Sequence, residues 1–162
     1  MKCLFTILSL FIVICALSQR ISKNRLSALI ANTPGKQITI DDSKKVGYHC
    51  VSTYLYLGKM NDNKNRTLKI LTETSYFGGL STHVSSRILF YNNLNQYIGE
   101  YNTAKSPEEL PTKLKNGKLI FPFNEGCDRK PNIVDLNRGI PKEIFLPCAN
   151  GLGNIYSFSS DD

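Results

Sequence analysis

Four side chains hold most of the reactive chemistry this sequence could perform: Cys50, His83, Glu73 and Glu100. Cys50 with His83 has the residue types of a thiol–imidazole pair, in which a nearby base or positive charge makes the sulfur nucleophilic. Glu73 with Glu100 has the types of a glycosidase pair, one carboxyl protonating a leaving oxygen while the other attacks or activates water. Neither constellation has local support. No strand-to-helix elbow or helix start accompanies Cys50, and Ser81, Ser85 and Ser86 around His83 read as ordinary turn and strand residues. Both glutamates fall in strand-like stretches, where a solvent-facing carboxylate is the commoner arrangement. The expectation is therefore a chain without catalytic residues.

Metal chemistry is expected to be absent as well. Zinc sites are marked by paired ligands a few residues apart. His49 and Cys50 are adjacent, so on a strand they face opposite ways, and His83, Cys127 and Cys148 are isolated. Gly151-Leu152-Gly153 is too short to cradle phosphate, and no helical pattern follows it. No cofactor is expected.

The tyrosines are more suggestive. Tyr54 and Tyr56 share one parity of a strand-like run, and Tyr97 and Tyr101 share one parity of another, with Tyr91 across the intervening turn. If those strands are neighbours, Tyr54, Tyr56, Tyr97 and Tyr101 form one aromatic surface able to stack on sugars or on a partner's apolar groups. Cross-strand packing is the plainer alternative.

The elements that must position these residues are strands. Alternation is clearest at Tyr48–Leu57, where Val51, Thr53, Leu55 and Leu57 oppose Ser52, Tyr54 and Tyr56, and it resumes at Thr67–Thr74. Ser86–Tyr91 and Gln96–Tyr101 flank Asn92-Asn93-Leu94-Asn95 and predict a hairpin with an Asn-rich turn. Gln37–Ile40, Lys118–Phe123, Asn132–Leu136, Glu143–Leu146 and Asn154–Phe158 bring the count to about nine short strands, the pattern of a sandwich or barrel. Pro122 confines its strand to an edge, an end or a bulge. Ile21, Leu26, Leu29 and Ile30 predict one N-terminal helix within Ser22–Asn32, stopped by Thr33-Pro34-Gly35. The fold class is all-β, mainly antiparallel, with one short N-terminal helix.

The first residues supply an address. Lys2, the apolar run Leu4–Leu17, and Ala16 and Ser18 before a polar Gln19-Arg20 predict a signal peptide over 1–18, leaving 19–162 as a single β-rich domain. The run is shorter than the roughly 20 apolar residues of a membrane span, and no second run follows it. The large residue Ile14 argues against lipidation at Cys15. Of five cysteines, Cys3 and Cys15 fall in the leader. Among Cys50, Cys127 and Cys148, the preferred disulfide is Cys127–Cys148, each cysteine lying beside a turn, with Cys50 left as a thiol within a strand. The formal charge is +7, but the lysines are scattered without a basic stripe, so nucleic acid is not an expected partner.

These readings predict an exported, non-enzymatic protein, secreted or periplasmic, with a binding or structural role at the cell envelope or outside it. Its partner would be a glycan, an envelope component or a protein. One alternative is a calycin-like carrier of a small apolar ligand. The Gly-x-Trp of lipocalins is missing, since the chain has no Trp, and no residue role is carried over from that family. The other alternative is a small secreted hydrolase using Glu73 with Glu100 or Cys50 with His83.

Overall fold

Between His49 and Asn61 the chain sends Leu55 and Leu57 to one side and Tyr54 and Tyr56 to the other. Both faces of this strand therefore carry apolar bulk, and both must be covered. The computed structural model describes residues 23–31, 33–103, 107–122, 131–148 and 152–160. It covers the two faces with different elements.

Five strands run as an antiparallel meander: β1 (Gln37–Asp41), β2 (His49–Asn61), β3 (Thr67–Gly78), β4 (His83–Tyr91) and β5 (Tyr97–Asn102). Three short strands follow, β6 (Lys113–Lys115), β7 (Lys118–Ile120) and β8 (Ile133–Asp135). Then β9 (Glu143–Pro147) and β10 (Gly153–Ser159) return to the first sheet. The large sheet has the order β1-β2-β3-β4-β5-β10-β9, and the small one β6-β7-β8. A helix, α1, spans 23–31, and a single turn, α2, spans Ser43–Val46. The expected all-β class with an N-terminal helix is found. The sheet stays open, with β1 and β9 as its edges, so the architecture is sandwich-like and not a closed barrel.

Turn chemistry sets the register. Asp62 Oδ1 accepts hydrogen bonds from the amides of Lys64 and Arg66 (both 2.9 Å). Asn92 Oδ1 accepts from Leu94 and Gln96 (2.8 and 3.0 Å). In each turn an asparagine takes the left-handed conformation, Asn65 at φ 57° and Asn95 at φ 62°, which asparagine tolerates better than most residues. The β2–β3 and β4–β5 connections are thus two versions of one turn.

The core on one face lies between the two sheets. Ile70, Ile88, Phe90 and Tyr101 of the large sheet meet Leu119, Phe121 and Leu136 around the small one, all close to fully buried. Side chains of both sheets pack the centre of this layer, and a depression of about 290 Å³ opens beside Leu55, Thr72 and Leu110. On the other face α1 packs Ala28 and Leu29 onto Tyr54, Tyr56, Leu71, Leu89 and Tyr91. Burying Leu29 alone is worth about 2 kcal/mol. Gly35 then ties the helix exit to the sheet by donating its amide to the Tyr56 carbonyl at 2.9 Å. The helix presents Arg25, Ala28 and Leu29 to the sheet while Ile30 stays exposed, so its buried stripe differs from the apolar spacing read in the sequence.

Two further elements were not expected. β6 lies between Pro111 and Asn116-Gly117, where no strand was expected, because Asn116-Gly117 makes a tight turn back to β7; Asn116 has φ 51°. β7 ends at Ile120, before Pro122, as that proline requires. The α2 turn begins where Asp41 Oδ1 accepts the Ser43 amide at 2.9 Å.

The cysteines are partly described. Cys50 carries a thiol and is not in a disulfide, while Cys148 is disulfide-bonded. Cys127 and residues 1–18, expected to be a signal peptide, lie outside the described residues, and no disulfide joins two described cysteines. Among the described residues no helix is long and apolar enough to cross a membrane.

Candidate functional site

The strand register lays the reactive residues of the α1-covered face in cross-strand rows. Cys50 pairs with Phe77, and Phe77 with His83. In the next row Ser52 pairs with Ser75, and Ser75 with Ser85. The third row is Tyr54, Glu73, Arg87 and Asn102. A fourth row, Tyr56, Leu71, Leu89 and Glu100, is largely apolar and lies under α1. The face grades from open and polar to covered and apolar.

The first three rows, without His83 and Asn102, floor a cleft of about 270 Å³. Asn24 and Arg25 of α1 form one wall, and Asp42, Val46 and Tyr48 around α2 form another. Other depressions have comparable volumes, 310 and 290 Å³. This one is distinguished by a buried carboxylate, Glu73 (5% exposed), and by the two arginines beside it.

Its charges are closed on one another. Arg25 donates from Nε and reaches with Nη2 to the same Glu73 oxygen, at 2.8 and 2.7 Å. Ser75 Oγ donates to the other Glu73 oxygen at 3.2 Å and lies 2.9 Å from Ser52 Oγ. Arg87 contacts Glu100 at 3.4 Å and donates from Nε to Ser85 Oγ at 3.3 Å. Burial would lower the Arg25 pKa, but Glu73, with Tyr91 and Glu100 further off, more than reverses this and raises it. Burial, then the Glu73 charge, pushes the Tyr54 hydroxyl up to about 12. Tyr91 is likewise raised to about 12, chiefly by burial.

All four reactive candidates share this face, yet neither pair meets. Cys50 and His83 are two strands apart, roughly 10 Å, and the Phe77 strand position lies between them. The Phe77 ring lies against His83, with centroids 5.9 Å apart. Glu73 and Glu100 are also two strands apart, in different rows, and each is held by its own arginine. Among the described residues no three His, Cys, Asp or Glu side chains converge to hold a metal ion. His49 is exposed on β2 next to Cys50.

The tyrosine surface needs correction. Tyr54 and Tyr56 are 1% and 2% exposed beneath α1, and Tyr101 is 0% exposed in the opposite core. Tyr97 and Tyr101 do not share a face. Opposite Phe90–Tyr91, β5 carries one extra residue, Ile98, and this bulge switches side-chain parity between the two tyrosines. Tyr97 packs edge-on against Tyr91 at 5.7 Å, whereas Tyr101 packs on Phe90 and Phe158 and donates its hydroxyl to the Pro141 carbonyl. The four are cross-strand packing, not one exposed platform. Exposed aromatics at the cleft are Tyr48 (47%) and Phe77 (40%) instead.

Sequence reasoning missed Arg25, Arg87, Phe77 and the serine row. Period-two alternation carries each of them to this face, but their meeting depends on strand order and on the helix. No family model matches the sequence, and no curated protein or solved structure shows significant similarity to it.

Proposed function

We propose that this protein is an exported, non-catalytic binding module, cut after Ser18, that works at the cell envelope or outside the cell. The cleft between α1 and the large sheet is its recognition site. The observation that carries this reading is the closed charge pairing, with Glu73 held by Arg25 and Glu100 by Arg87. A general acid or nucleophile must be available to substrate, whereas paired and positioned polar groups suit recognition. The disulfide at Cys148 is in keeping with an oxidising compartment, and we assign Cys127 as its partner.

The test is expression of the full chain in a secreting host, followed by mass analysis of the exported fraction. The expected product begins at Gln19, binds a small ligand saturably and leaves it chemically unchanged. Retention inside the cell with the leader intact would overturn the export reading. Turnover of a glycoside or ester that disappears in Glu73→Gln would replace the binding reading with the hydrolase one.

A further inference from the structure

The cleft is electrically balanced, rich in hydroxyls and rimmed by exposed aromatics. From these features we propose that its ligand is a neutral sugar, bound as the terminal ring of a glycan; this deepens the binding reading above and rests on it.

Charge argues first. Arg25 and Arg87 enter the cleft with Glu73 and Asp42, and Arg87 also contacts Glu100. A phosphate or carboxylate would add an unbalanced negative charge beside Glu73 and Asp42, because the charges of Arg25 and Arg87 are already matched by Glu73 and Glu100. A neutral ligand leaves both ion pairs in place.

Hydrogen-bonding chemistry argues second. Each sugar hydroxyl both donates and accepts. The floor offers hydroxyls of both capacities at Ser52, Ser75 and Ser85, acceptor lone pairs on Glu73, and guanidinium donors on Arg87. Arg25, Ser75 and Ser85 hold these groups in place, so little order is lost on binding.

Shape argues third. Pyranose rings have an apolar C–H face, and Phe77 and Tyr48 give the cleft aromatic surface at its open end. The volume of about 270 Å³ falls just below the usual range for drug-sized ligands, roughly 300–1,000 Å³. That admits one ring or two. Arg25 and α1 close the other end, which favours a chain terminus over a continuous strand of polymer.

The experiment uses the exported protein on an array of neutral, amino and carboxylated saccharides. The free methyl glycoside of the best neutral hit is then titrated calorimetrically. A parallel thermal-shift panel holds amino acids, nucleotides and fatty acids. The expected result is binding of neutral glycans, weakened about tenfold or more by Phe77→Ala and by Ser75→Ala. Leu94→Ala, on the distant β4–β5 turn, should bind like the parent. Circular dichroism of each variant separates lost binding from lost folding. Binding only to carboxylated sugars, or no glycan binding at all, overturns the sugar inference. Binding within the non-sugar panel that Phe77→Ala weakens would then keep the cleft as a binding site. Silence in both panels removes both readings.

Discussion

Arg25 of α1 and Glu73 of β3 are joined by two contacts of 2.8 and 2.7 Å to a single carboxylate oxygen, forty-eight residues apart in sequence. The pair fastens the helix to the sheet at the edge of the cleft. Its side chains are 17% and 7% exposed, so it sits where charge is costly to leave unpaired.

Removing one partner should therefore cost more than removing both. Arg25→Met or Glu73→Leu alone is expected to destabilise the fold by about 3–5 kcal/mol, the usual cost of leaving one member of a buried pair unpartnered. The double variant should recover much of the loss. Urea unfolding of the four proteins measures the coupling energy. Additive losses would show that the contact does not anchor the helix.

Alkaline stability follows from the tyrosines under α1. Burial leads in raising Tyr54 and Tyr91 to about 12, against about 10 in the unfolded chain. Between those values the folded state holds protons that the unfolded state has released. The stabilisation is complete below about pH 10 and is lost as pH rises toward 12. Tyr91→Phe should flatten this decline, as read by thermal unfolding across that window. An unchanged slope would remove Tyr91 from the account.

At the acid end the sign reverses. Burial would raise the Asp62 carboxyl, but hydrogen bonds from the Arg66 amide and side chain and from the Lys64 amide overcome it and hold the carboxyl below the ordinary range. Its contribution is present above the unfolded value of about 3.9 and disappears as pH falls through the lower folded value. Asp62→Asn should lower stability at neutral pH and bring the variant closer to the parent in strong acid. A constant gap at every pH would count against the charge.

Thiol chemistry tests the cysteine assignment. The exported protein should take up one equivalent of alkylating reagent, at Cys50, after unfolding without reductant, and peptide mapping should recover Cys127 linked to Cys148. Alkylation at all three would contradict both the pairing and the compartment.

Much of the fold is readable along the chain because strands record their environment locally. A side chain's face follows from parity, so the opposed sets Leu55 and Leu57 against Tyr54 and Tyr56 announced a strand, although only the structure showed that both of its faces are covered. Asn92 and Asn95 announced their turn because an asparagine side chain can bond its own backbone and tolerate positive φ. Such features need only neighbours in sequence, and they carried the all-β class, most strand positions and the N-terminal helix.

The site depended on distances that local pattern does not contain. One inserted residue, Ile98, separated Tyr97 from Tyr101 and dissolved the tyrosine surface. The sheet's order brought Cys50, Phe77 and His83 into one row and put the phenyl position between the two reactive groups. The helix chose Arg25 to face Glu73, although only its apolar residues had been marked for burial. Parity says which way a side chain points; strand neighbours, bulges and the covering helix decide what it meets, because those contacts join residues tens of positions apart.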